Sequence, residues 1–309
     1  MSKHDRQSFL GEASEQIIKA TTVGLVGLGG GGSHVVQQLA HIGVERYVLV
    51  DPDVIEESNL NRLVGGTSLD VAAKASKVAI AERVIRGVLP DPKIDPHQCN
   101  WQQAIAALKG CDVIIAGVDS VIAKDELDKF CRRYLIPLID MGMDVHRVGG
   151  RYLIAGQVIM TTPGAPCLRC MGIVTDDLLA KEANRYGAAG GKPQVVWPNG
   201  VLASTAVALF MQLICPWYDK GASSAYLEYD GNRHTLTPSK SYALIHQQPC
   251  PHHFPEEAGD PLFDIRAPAT QPTANADVAK VEAAVAALLE SGVSLRLWMS
   301  KMWRRLRNG

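Results

Sequence analysis

Short apolar runs alternate with helical stripes along the first half of the chain. Thr22 to Gly27 is a β-rich run that ends in glycines, and Ser33 to Ile42 carries apolar residues at helical spacing. Tyr47 to Val50 is again continuous and apolar, and it stops at Asp51. Val71 to Val88 reads as one helix, with Pro90 just beyond it. Asp112 to Gly117 and Pro137 to Met141 are two more short strands, and Val121 to Tyr134 between them is helical. This alternation predicts an α/β fold: a Rossmann-like, mostly parallel sheet with right-handed crossovers and helices on both faces.

After residue 143 the texture changes. Arg151 to Thr161 predicts a longer strand, and Val201 to Ile214 a strongly apolar helix. Ala225 to Tyr229 and His234 to Thr237 flank Asp230-Gly231-Asn232, a hairpin signal. Residues 1–254 are therefore expected to form one unit, with a nucleotide half over about 1–142 and a mixed or antiparallel β half over about 143–254. Residues 255–275, rich in Pro, Ala, Asp and Thr, read as a linker, and 276–309 as a helical basic tail. Ala276 to Leu289 is Ala-rich, and the last 18 residues hold five Lys/Arg and no acid, with Trp298 and Trp303 among them.

Charge narrows the function classes. Lys plus Arg is 31 and Asp plus Glu is 32, a net charge of -1 that argues against a whole-surface nucleic-acid binder. The basic tail alone leaves contact with a tRNA open. The first residues show no secretory signal, and Val201 to Ile214 is too short to span a bilayer, so a cytoplasmic protein with no membrane span is expected. Seven cysteines in such a chain read as metal ligands or free thiols, not as a disulfide framework.

The chemistry starts in the glycine loop. Gly27-Leu28-Gly29-Gly30-Gly31-Gly32 fits G-x-G-x-x-G between a strand and a helix, where glycines permit a tight turn and let phosphates approach a helix N-terminus. Asp51, at the end of the second strand, is placed to accept hydrogen bonds from a ribose. NAD, FAD and ATP folds all share this much. The next segment separates them: Ser58-Asn59-Leu60-Asn61-Arg62 brings an Arg, and Lys77 follows on a helix. A triphosphate needs such cations where negative charge develops. Asp119, just after the strand 112–117, can hold Mg²⁺ against phosphates. Further on, Cys167-x-x-Cys170 and Cys250-x-x-His253 share one spacing, which suits a closed Cys₃His site for structural Zn²⁺, with His252 as the competing fourth ligand.

These motifs together resemble the ThiF, MoeB and ubiquitin-activating (E1-like) adenylyltransferases. The resemblance runs from about Asp5 to His253. It is carried by the glycine loop, Asp51-x-Asp53, Ser58-Asn59-Leu60-x-Arg62, Lys77-Val78, Asp119 with Lys124, Pro137 to Gly142, Cys167-x-x-Cys170, the helix from Gly200, and Arg6-Gln7. Gly65-Gly66 is a small insertion against that pattern.

The resemblance implies that ATP activates the C-terminal glycine carboxylate of a ubiquitin-like or sulfur-carrier protein as an acyl adenylate, releasing pyrophosphate. Gly27, Gly29, Gly30 and Gly32 would form the phosphate turn and Asp51 would hold the ribose. Asn59, Arg62 and Lys77 would bind phosphates, and Asp119 would hold Mg²⁺. Arg6 would reach into the site of a homodimer partner. Family members often carry an acceptor cysteine in the crossover loop, here about 183–198, which has none. The adenylate would then pass to an E2-like or sulfurtransferase acceptor.

Other readings remain. A short peptide carboxylate or a tRNA-base carboxylate could replace the protein tail. From other classes come a NAD- or FAD-dependent oxidoreductase, against which Arg62, Lys77 and Asp119 count, and a catalytically silent nucleotide-binding scaffold.

Overall fold

The computed structural model describes residues 5–184, 193–218, 224–246, 248 and 250–253. The expected linker and basic tail lie outside the described residues. The chain divides into two units, Met1–Phe263 and Asp264–Gly309, and every described residue belongs to the first.

Eight strands form one sheet in the order β3-β2-β1-β4-β5-β6-β7-β8. They are β1 Thr22–Val26, β2 Arg46–Val50, β3 Lys93–His97, β4 Val113–Ala116, β5 Leu138–Val148, β6 Arg151–Thr161, β7 Ala225–Asp230 and β8 Thr235–Pro238. The helices are α1 Ser14–Ala20, α2 Gly30–Ile42, α3 Ser68–Ala72, α4 Lys77–Val88, α5 Ile105–Leu108, α6 Val121–Arg133, α7 Asp176–Asn184, α8 Val196–Ile214 and α9 Lys240–Ile245. Strands β1 to β5 pair in parallel, and β5 to β8 pair antiparallel. The α/β expectation and the hairpin at Asp230-Gly231-Asn232 both hold.

The central strands are buried on both faces, which explains their continuous apolar runs. Alternate residues split between two cores. Val23, Leu25, Leu49, Val113 and Ile115 face α2, α4 and α8, while Val26, Val48, Val50, Ile114 and Ala116 face Trp101, Leu127 and Phe130.

Four elements differ from the sequence expectation. The single helix over 71–88 is two, because Lys74 takes a left-handed φ of 49° and Ser76 starts anew as N-cap, its Oγ accepting from Ala79 N at 3.1 Å. A bridge between Val54 and Ser76 holds this break. Strand β3 carries no apolar run and contains Pro96, which an edge strand tolerates since one side needs no donor. Strand β5 runs on to Val148, seven residues past Met141, because β6 pairs with its whole length. Helix α8 begins at Val196, with Pro198 in its first turn, where a missing N–H costs little. At 19 residues it is long and apolar enough, by length and composition, to cross a membrane, contrary to the expectation from Val201–Ile214. Half of it is buried within the fold, where it packs on α2, β5 and β6 as the core helix of a globular domain does.

Candidate active site

The strand order reverses between β1 and β4. In an open α/β sheet the crevice beyond the carboxyl ends at that point is where ligands bind. Two loops meet there: the glycine loop after β1 and Gly117-Val118-Asp119-Ser120 after β4. Their starts are fixed by Gly27 N donating to Val50 O (2.9 Å) and Gly117 N donating to Val26 O (2.9 Å).

The glycines divide their labour. Gly27 has φ +88°, and a Cβ on Gly32 would stand 2.0 Å from Gly27 O, so this pair closes the turn. Neither is among the residues that line the cleft. Gly29, Gly30 and Gly31 do line it. Gly29 has open space around it and caps α2 with no side-chain hydrogen bond, leaving the first N–H groups of a 13-residue helix facing the cleft.

Asn59, Arg62, Lys77 and Asp119 all line the same cleft, joined by Met141 to Met143, Gln194 and Asn199. The enclosed space is about 80 Å³, on the scale of phosphate groups, and the rest opens to solvent. Lys77 Nζ lies 2.6 Å from Asp53 Oδ2 and 3.8 Å from Asp51 Oδ1. Arg62 donates to Ser58 O (2.6 Å) and Asn61 Oδ1 (2.9 Å). Asn59 Oδ1 accepts from Glu56 N at 3.0 Å, which fixes the short turn that carries it.

Asp51 meets this group through Lys77. Its side chain is buried, with Oδ2 accepting from Leu28 N (2.6 Å) and Oδ1 from Asp53 N (2.9 Å), so it ties the glycine loop to β2 and does not line the enclosed cleft. Burial raises its carboxyl above the usual range, against the opposing pull of Lys77. Arg6 is exposed on the turn Asp5–Leu10 and does not line the cleft.

Two residues that line the cleft, Gln194 and Asn199, carry no site signal in the sequence, and Asn61 beside them holds Gln194. Gln194 Nε2 donates to both oxygens of Asp119, at 3.3 and 3.2 Å. Asn61 Nδ2 donates to Gln194 O at 3.0 Å, and Asn199 Nδ2 to Val195 O at 3.0 Å. No local spacing announces the first two contacts, whose partners lie 75 and 133 residues apart. Lys124 also differs in role from a phosphate ligand: it is buried against Asp140, with Nζ 2.5 Å from Oδ1.

A second cluster lies after β6. Cys167, Cys170, Cys250 and His252 bring their ligand atoms within 4.8 Å of one another. Cys170 Sγ is 3.5 Å from Cys167 Sγ and 3.6 Å from Cys250 Sγ, and His252 Nδ1 is 3.4 Å from the first two sulfurs. A zinc with Zn–S bonds of about 2.3 Å separates its ligands by roughly 3.5–3.8 Å, so these four fit a tetrahedral ion. The structure thus puts His252 where His253 was expected. His253 instead falls with Asp128 and Cys167. Cys111, Cys131 and Cys215 are buried and Cys99 partly so; burial raises the thiols of the first three, as befits packing residues.

The chain matches the ThiF family over residues 2–251. It is 31% identical to the SAMP-activating enzyme E1 of Haloferax volcanii over 172 residues, 55% of this chain and 60% of that protein. It is 26% identical to ubiquitin-like modifier-activating enzyme 5 of Gallus gallus over 231 residues, 69% of this chain and 54% of that one. To molybdopterin-synthase adenylyltransferase of Escherichia coli it is 26% identical over 220 residues, 70% of this chain and 81% of that one. It thus spans less than two thirds of the first two relatives. Among solved structures, E. coli MccB with ATP has a TM-score of 0.63 at 18% identity, covering 77% of this chain and 71% of that chain, a likeness of fold.

Proposed function

We propose that this chain, which belongs to the ThiF family, is an ATP-dependent adenylyltransferase acting on the C-terminal glycine carboxylate of a ubiquitin-like or sulfur-carrier protein. One observation carries the reading: the bare N-terminus of α2, Asn59, Arg62 and Lys77 line one cleft with Asp119. A phosphate chain fits such donors; a dinucleotide site shares the helix N-terminus but has no need of the added Arg62, Lys77 and Asp119.

In the reaction a carboxylate oxygen of the acyl substrate forms a bond to the α-phosphorus. The bond from that phosphorus to the bridging oxygen breaks, and pyrophosphate leaves with the electron pair. Carboxylate and triphosphate repel each other, so the site's work is to offset charge and hold the reactants in line. Arg62, Lys77 and the α2 amides are the groups for this, and no strong general base is required. The Asp119 carboxylate offers the oxygen ligands that a hard cation such as Mg²⁺ takes, which would supply charge neutralisation at the phosphates. Asp51 would serve the ribose only through lone pairs that the backbone leaves free.

Arg6 is read as completing the site of a homodimer partner. The four-ligand cluster is read as structural zinc, with Cys167, Cys170, Cys250 and His252 as ligands, bracing the strand end after β6 against the segment after α9. Without a crossover cysteine, the adenylate is handed to a nucleophile of another protein, and the chain is read as acting in the cytoplasm.

ATP–pyrophosphate exchange tests the reading. It is expected only with carrier proteins that end in glycine, and Asp119→Ala should abolish it. Absence of exchange with such carriers, together with no binding of ATP, would refute it. Exchange with a short peptide or a tRNA-base carboxylate instead would move the substrate class and leave the chemistry.

A further inference from the structure

The turn that carries Asp119 is held by both flanks of the connection between α7 and α8. On one side, Glu182 Oε2, in the last turn of α7, accepts from Val121 N (2.7 Å) and Ile122 N (3.1 Å). On the other, Gln194 donates to Asp119, while Asn61 pins the Gln194 carbonyl. Ser120, the N-cap of α6, takes Ala123 N at 3.0 Å.

These bonds decide what Asp119 is free to do. A carboxylate one residue before an N-cap is drawn toward the unsatisfied N–H groups of the first turn. Here those of residues 121 to 123 are already taken, by Glu182 and Ser120. The carboxylate is exposed, and the Gln194 amide spans both its oxygens from one side. The remaining lone pairs are left to the cleft that Asp119 lines.

We propose that Gln194 and Glu182 are positioning residues for a divalent cation. Gln194 orients the Asp119 carboxylate, and Glu182 keeps it from capping α6. Cation affinity is thereby tied to the seating of the chain on either side of the α7–α8 connection, and by linkage a bound cation steadies that seating in return. This rests on the adenylyltransferase reading, which supplies the cation. A neutral amide is no competitor for a charged ion, so the contact reads as a support and not as a plug. Partners that orient a ligating carboxylate are worth roughly 10- to 100-fold in metal affinity.

The test is Mn²⁺ titration of the full chain, followed by electron paramagnetic resonance, with and without a non-hydrolysable ATP analogue. Only the signal that depends on the analogue is read, which sets the cysteine cluster aside. Gln194→Ala and Glu182→Ala are each expected to weaken Mn²⁺ by roughly 10- to 100-fold. The fold-loss in Mn²⁺ affinity should exceed any fold-loss in cation-free analogue affinity, whereas a merely structural role would lower the two together; Glu182→Ala also uncaps two α6 N–H groups and should lower the thermal midpoint. Gln194→Met, of similar length but without the amide, should behave as Gln194→Ala does. Unchanged Mn²⁺ affinity in the two Gln194 variants overturns the proposal, and tighter Mn²⁺ shows that the amide blocks the cation. A wild type that binds neither analogue nor ion sinks the adenylyltransferase reading and this inference with it.

Discussion

Lys124→Met is expected to destabilise the fold by about 3–5 kcal/mol, because it strands a buried charge. The Lys124 and Asp140 side chains are 7% and 1% exposed. Lys124 Nζ bonds Asp140 Oδ1 at 2.5 Å and lies 3.4 Å from Met141 O, while Asp140 Oδ2 has no hydrogen-bond partner among the described residues. Burial already raises the Asp140 carboxyl, and Lys124 is the group that pulls it back down. Without Lys124 the folded-state pKa rises further above the unfolded value of about 3.9. A group raised in this way favours folding at acid pH and loses that contribution as pH climbs through the folded pKa. The variant's deficit should therefore be small near pH 4 and grow toward neutral pH.

Urea unfolding read by circular dichroism measures the deficit. At about 2–4 °C per kcal/mol, the thermal midpoint should drop by roughly 10 °C. Lys124→Met with Asp140→Leu should recover most of this, since apolar residues often replace a buried ion pair without loss. A single variant within about 1 kcal/mol of wild type, or a double variant as weak as the single one, would refute the reasoning. The first result would mean that water reaches the pair, and the second that lost packing and not a stranded charge sets the deficit. The position matters for function because Met141, Gly142 and Met143, next along β5, line the cleft.

Gly32→Ala must push a Cβ that would stand 2.0 Å from Gly27 O, so the turn has to move by about 1 Å, and an error of that size can cost ~100-fold at a reacting centre. Gly29→Ala meets nothing within 4 Å and should melt like wild type while binding nucleotide less well; calorimetry on both variants checks the contrast. Cys170→Ser should lower zinc per chain by elemental analysis, and a chelator that is expected to lower the melting of wild type should no longer shift that of the variant. The Arg83 guanidinium and the Thr67 hydroxyl hold the Asp70 carboxyl well below the usual range. Its stabilisation is full above the unfolded value of about 3.9 and fades as pH falls below it toward the depressed folded value. The difference in midpoint between wild type and Asp70→Asn should accordingly narrow from about pH 7 to about pH 3.

The sequence by itself determined the α/β alternation, the glycine loop, the carboxyl-end positions of Asp51 and Asp119, and the paired cysteines. Those signals live in contiguous residues: period two or 3.6 in the apolar pattern, backbone freedom at glycine, and two-residue ligand spacing. The edge strand with Pro96 and the break at Lys74 to Ser76 were illegible for the same reason, since neighbouring strands and a β-bridge settled them against local pattern. Tertiary structure alone brought Gln194 to Asp119, 75 residues apart, and Glu182 to Val121, 61 apart. It also buried Lys124 on Asp140 and chose His252 over its neighbour for the cysteine cluster. Which of two adjacent side chains points inward depends on where distant segments dock, and no spacing along the chain carries that information.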